Sequence, residues 1–166
     1  MTITVETGAG LSTADAYISV ADVDTYHEDR CNTGWTGSDS AKEIAIRVAT
    51  QYLDTNYTWK GDIKVDTQSL AWPRDGVYDK EGRSLLNQVP VAVKNACAEL
   101  ALKALSSTLV PDTTNANFVK REKVDVLETE YFEGSPTGTE YNFVNIILSG
   151  LTTNIAGGSN AGLLRS

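Results

Sequence analysis

His27 and Cys31 stand four residues apart in a stretch with helical character, so an imidazole and a thiol share one helical face. An imidazole in reach of a thiol can take its proton and leave a nucleophilic thiolate. One helical turn, however, supplies no third group to orient the ring and no donors for an oxyanion, and the pair reads as surface residues. The acids Asp75, Asp79 and Glu81, with Gly82, form a second cluster. A calcium loop wants acids at alternating positions before a glycine and a glutamate further on; this run lacks that spacing, and its Asp-Gly and Glu-Gly dipeptides mark chain reversals. The glycines at 8, 10, 34, 37 and 61 form no strand-loop-helix phosphate cradle ending in Lys-Ser or Lys-Thr. No catalytic, metal or cofactor-binding residue is assigned, and the chain is expected not to be an enzyme.

Charge narrows the partners. The 166 residues carry 14 Lys and Arg against 22 Asp and Glu, a net charge of −8. Such a balance argues against affinity that comes from neutralising phosphates. The only basic cluster is "VKREK", with Lys120, Arg121 and Lys123, and it is interrupted by Glu122 and followed by Glu128 and Glu130. Three tryptophans and seven tyrosines offer stacking surfaces for single-stranded bases. Without a basic groove they read as core residues. Cys31 and Cys97 show no metal-ligand spacing and no disulfide framework, which fits a reducing compartment. No run approaches the ~18 apolar residues of a membrane span, and the N-terminus has no basic region followed by an apolar run. The chain is expected in the cytoplasm, or in something assembled there.

The length suits one domain with a core of its own, and 41% hydrophobic with 22% charged residues is ordinary for a folded protein. "MTITVETGAG" reads as a short strand or arm ending in a turn, outside the core. Ser19 followed by Asp22 predicts a helix start and a helix from Val20 to about Cys31. Ala41, Ile44, Ala45, Val48, Ala49, Tyr52 and Leu53 recur at the spacing of one buried face, predicting a helix over Ala41 to Tyr57. A third helix opens at Pro90, with Val93, Ala96, Cys97, Leu100, Ala101, Ala104 and Leu105 as its face, Lys94 and Lys103 outside, and Pro111 as its stop. "VKREKVDVLETEYF" predicts a strand or edge ribbon near 118–132, and "YNFVNIILSGL" a short helix over Tyr141 to Leu151. The fold class is mainly α: a small bundle of three to four helices with a β-ribbon segment and extended terminal arms. Residues 1–151 are expected to form the domain and 152–166 a flexible tail.

A loop of about thirty residues between two long helices must be pinned. Leu70 and Trp72 in "SLAWPR" are the expected pins; Pro73 holds Trp72 in an extended backbone and Arg74 reaches nearby carbonyls or acids. The four residues read as a structural clasp.

The order "ADAYISVADVDTYHEDR", "ATQYLDTNYTWKG", "QSLAWPRDGVYDKEG", "VPVAVKNACAELALKAL" and "VKREKVDVLETEYF" resembles the head-tail connector, or adaptor, proteins of tailed bacteriophages over about residues 12–132. Some members of that family carry the description DnaT-like single-stranded DNA-binding protein. The resemblance implies a structural protein of the virion neck, assembled in the host cytoplasm as a ring of twelve copies beneath the portal. Such a ring extends a channel through which double-stranded DNA passes without specific binding, and provides the attachment surface for a downstream tail protein. Twelve copies would carry 12 × −8 = −96 charges, some of them facing the genome. On that expectation Lys120, Arg121 and Lys123 serve a subunit interface, while Phe143, Ile146, Ile147, Leu163, Leu164 and Arg165 serve the portal. The alternative is a single-stranded DNA-binding protein, whose affinity would depend on salt and on Arg74, Lys120, Arg121 or Lys123.

Overall fold

Two helices packed against each other carry the centre of the computed structural model, which describes residues 2–110, 121–124, 127–130 and 139–154. Helix α2 spans Asp39–Asn56 and α3 spans Val91–Ser106. The Ser38 hydroxyl accepts the Ala41 amide at 3.3 Å and Asp39 sits in the first turn, which satisfies an orphan donor and complements the positive helix end. The buried face of α2 is Ala45, Ile46, Ala49, Thr50 and Leu53. Ile44 and Val48, expected inside, are 59% and 40% exposed. The stripe is rotated because Thr50, a polar residue, can be buried: its hydroxyl meets the Cys97 thiol at 3.4 Å. Across from it α3 presents Val93, Ala96, Cys97, Leu100 and Ala101, and the small residues let the two helices approach closely. Pro90 caps α3 from outside, and the helix stops at Ser106, short of Pro111.

Helix α1, Val20–Glu28, starts as expected, with the Ser19 hydroxyl accepting the Asp22 amide at 3.1 Å. It ends three residues before Cys31. The chain turns back there, with the Asn32 amide donating to the His27 carbonyl at 2.9 Å and Cys31 at a φ of 53°. His27 is 1% exposed and lies among Tyr26, Trp35 and α3, its Nε2 3.1 Å from the Ala98 carbonyl and its Nδ1 3.0 Å from the side-chain Nδ2 of Asn32. Burial holds this imidazole below its ordinary value; the Ala98 carbonyl and the Glu99 and Asp24 carboxylates pull it back up, and Arg30 pushes it down. The unfolded chain, with a value of about 6.5, therefore takes the proton more readily. Stability from this site is complete above about pH 6.5 and is lost as pH falls from there toward the lower folded value. Urea midpoints measured across that window are expected to fall with acidification, and a His27→Gln variant to lose that part of the slope.

The N-terminal segment belongs to the core, contrary to the expected free arm. Val5 bridges Ala16 in parallel, and Ala14, Ala16, Tyr17 and Ile18 are buried. Glu6, 1% exposed, turns its carboxylate onto the backbone amides of Gly8, Gly10 and Leu11 at 2.7–2.9 Å. A glycine turn thus becomes a nest for an anion supplied by the chain itself. Gly8 has a φ of 97°, and a Cβ there would collide with the Asn87 backbone, so no other residue fits.

The long segment between α2 and α3 holds three short strands that the sequence pattern does not announce. Strand β1 is Thr58–Trp59, β2 is Asp62–Ile63 and β3 is Arg74–Asp75, the last two paired antiparallel. Gly61 turns the chain between β1 and β2 at a φ of 70°. Beyond α3, the expected ribbon is a hairpin of β4, Arg121–Val124, and β5, Leu127–Glu130. Helix α4 covers Asn142–Leu148, shorter than expected. After it Thr152–Asn154 form β6, which pairs antiparallel with β1. The first three residues of the expected tail, Thr152–Asn154, are therefore in a strand, and residues 155–166 lie outside the described residues. Among the described residues there are four helices and three two-stranded sheets, the mainly helical bundle with a β-segment read from the sequence.

Candidate nucleic-acid interface

Trp72 is fully buried, edge-on to Trp59 with ring centroids 5.7 Å apart, and joined to Pro73 by a cis peptide bond. Its backbone amide donates to the Tyr17 hydroxyl at 3.2 Å, and that hydroxyl donates to Asp54. The other Asp54 oxygen accepts the Ala71 amide at 3.0 Å. Burial pushes the Asp54 carboxyl up, against the pull of these donors and of Arg74; burial and Asp54 together push the Tyr17 hydroxyl far up. Leu70 is half-buried against the core. Arg74 donates through Nε to the Lys60 carbonyl at 2.8 Å, through Nη2 to Gly61 at 2.6 Å and through Nη1 to Ala71 at 3.2 Å. Its guanidinium fork is engaged by the backbone, and it is not presented to a phosphate.

The other residues singled out by type do not come together. His27 is held inside, whereas Cys31 lies exposed beyond the helix end, so the two no longer share a face. The other cysteine, Cys97, is fully buried, and burial pushes its thiol up to about 12. Asp79 accepts the Glu81 and Arg83 amides and the Arg83 Nε, which closes a turn; Arg83 holds it below the usual carboxylate range. Asp75 lies in β3, opposite Asp62. Among the described residues no group of three His, Cys, Asp or Glu side chains is placed to hold a metal ion.

Register decides the value of the basic cluster. In the β4–β5 hairpin Arg121 stands opposite Glu130 and Lys123 opposite Glu128, so each cationic position faces an anionic one. Lys120, Leu163, Leu164 and Arg165 lie outside the described residues. Phe143 and Ile146 are 57% and 69% exposed on α4, and Ile147 is half-buried against the core.

A different pair of cations meets in space. Lys60, just after β1, donates through Nζ to the Gly150 carbonyl at 2.9 Å, and a methyl group built on Gly150 would stand 3.6 Å from Lys80 Cε. Both lysines are exposed, and they reach the C-terminal end of α4, where the negative end of the helix dipole favours positive charge. Segment 58–90, which carries them, has five Lys or Arg and five Asp or Glu, so 5 − 5 = 0 and the whole −8 resides in the rest of the chain. Two residues before Lys80 stands Tyr78, 59% exposed. Trp35, Trp59, Trp72, Tyr17, Tyr26 and Tyr57 are all buried, as the core reading of the aromatics has it, and Tyr52 and Tyr141 pack edge-on against each other. Tyr78 and Phe143 are the aromatic side chains that the described residues turn to solvent. Sequence reasoning missed Lys60, Tyr78 and Lys80, because the first and last meet only through Gly150, distant in the chain.

Geometry thus defines a small, mainly helical protein in which Lys60 and Lys80 reach the C-terminal end of α4, with exposed Tyr78 two residues before Lys80 and exposed Phe143 on α4. A family model described as "Putative DnaT-like ssDNA binding protein" matches residues 1–166, and the chain belongs to that family. Neither a curated protein nor a solved structure matches it significantly. This finding overturns the expectation of a bacteriophage virion connector. The description of the family, which covers the full chain, names single-stranded DNA and no portal, neck, adaptor or dodecameric ring. Two of the motifs in the connector resemblance, "WKG" and "LAWPR", lie where Lys60 and Arg74 close the β1–β2 turn and where Trp72 enters the core, so both serve the fold. Among the described residues no helix is long and apolar enough to cross a membrane.

Proposed function

We propose that this protein binds single-stranded DNA, with the Lys60 and Lys80 ammonium groups contacting phosphates at the C-terminal end of α4. The observation that carries the reading is the family match over the whole chain. The surface supports it in two ways. First, a polyanion approaching a chain of net charge −8 meets least repulsion over the electrically balanced segment 58–90. Second, the lysines there are not consumed by carboxylates: Lys60 spends one of its three donors on Gly150, and among the described residues Lys80 has no hydrogen-bond or ion-pair partner. Arg74 is engaged by backbone carbonyls, and Arg121 and Lys123 hold ladder positions opposite Glu130 and Glu128. Binding, without turnover, is the activity assigned.

Two phosphate contacts on a single strand release counterions with a combined slope of about 1.4 in log affinity against log salt. A Lys60→Ala, Lys80→Ala double variant is therefore expected to bind a labelled oligonucleotide more weakly at low salt, with a slope shallower by about 1.4. Fluorescence anisotropy over a salt series measures both. Equal affinity and equal slope in parent and variant would place the phosphates elsewhere.

A further inference from the structure

Tyr78 is exposed on a turn that is built in advance. Val77 beside it is 2% exposed and accepts the Leu85 amide at 3.0 Å, Tyr78 bridges Ser84 antiparallel, and Asp79 ties the tip to Arg83. The ring therefore projects from a fixed backbone next to Lys80 and carries little ordering cost. On α4, Val144 and Leu148 face inward, while Phe143 and Ile146, three residues apart, face outward; Gly150 follows in the turn after the helix. Gly150 is the point at which Lys60 and Lys80 meet. An exposed aromatic ring thus stands on the same turn as Lys80, and a second on the helix whose C-terminal end both lysines reach. An apolar face beside paired ammonium groups is complementary to a ligand with flat apolar faces on an anionic backbone.

We infer that Tyr78 and Phe143 are base-stacking residues flanking the lysine pair, so that this surface takes unpaired nucleotides and rejects duplex DNA. The inference rests on the single-strand-binding reading and adds to it the chemistry of selection. Faces of bases are free to stack on a side chain only when they are not already stacked in a helix, and stacking tolerates any base because each has a π-face. Phosphates alone would not tell one strand from two.

Three probes separate the contributions: a mixed-sequence single strand, the duplex of the same sequence, and an abasic strand of equal length. The parent chain is expected to bind the single strand more tightly than the duplex. Tyr78→Ala and Phe143→Ala are each expected to weaken single-strand binding about tenfold, to leave the salt slope unchanged and to leave the abasic strand unaffected, while Tyr78→Phe keeps parental affinity. Both residues are exposed, and circular dichroism verifies that the variants keep the fold. Unweakened binding in Tyr78→Ala and Phe143→Ala, or equal weakening toward the abasic strand, overturns the stacking inference while leaving the phosphate contacts standing. Absence of single-strand binding by the parent chain overturns both.

Discussion

Trp72→Ala lowers the free energy of unfolding by roughly 3–5 kcal/mol, read as a shift of the urea midpoint at unchanged slope. The indole is fully buried at the junction of the N-terminal segment, the end of α2 and β1, where it lies edge-on to Trp59. Truncation leaves a cavity that cannot collapse easily, because Tyr17, Asp54 and Ala71 hold the surrounding backbone by hydrogen bonds. The same side chain has a weakness: among the described residues the buried Nε1 donors of Trp72 and Trp59 find no partner. A buried unpaired donor costs about 1–3 kcal/mol. Trp72→Phe removes that donor together with part of the ring, and is therefore expected to cost distinctly less than truncation to alanine. Equal stability of Trp72→Ala and the parent chain would contradict the packing described.

Glu6→Ala is the second large effect, a loss of about 3 kcal/mol or more. Its carboxylate is the common acceptor for three backbone amides, and charge-assisted bonds of this kind contribute about twice as much as neutral ones. Without it the amides of Gly8, Gly10 and Leu11 point at one another in a turn that Gly8 locks against Asn87. Glu6→Gln retains one acceptor oxygen but brings an NH2 group against amide donors, so it recovers only part of the loss. Thermal unfolding of the two variants beside the parent measures both. A Glu6→Ala chain with parental stability would show that water replaces the carboxylate freely.

Local signals were legible and distant ones were not. The Ser19 and Asp22 cap of α1, the apolar periodicity of α2 and α3 and the ribbon near 118–132 all depend on residues close in sequence. The inward face of α2 was misread at Ile44 and Val48 because two apolar stripes overlap along that helix. The choice between them is made by Cys97 on the opposing helix, through Thr50. Strand β1 is two residues long and finds its partner at Thr152–Asn154, so no periodicity within Thr58–Trp59 announces it. Glu6 carries no signal in the sequence, since its partners are backbone amides and leave no side-chain pattern. The lysine pair is the same case at larger range, with Lys60 and Gly150 90 positions apart in the chain. The connector reading came from motif resemblance, and those motifs belong to turns and core contacts that do not specify a partner.

Equilibrium binding of the parent chain to a labelled single strand and to its duplex, followed by anisotropy from low to moderate salt, tests the central claim most directly. The account predicts saturable binding to the single strand that weakens as salt rises, with the duplex bound less tightly at every salt concentration. Indistinguishable affinities for the two forms, or no binding to the single strand at the lowest salt, would contradict it.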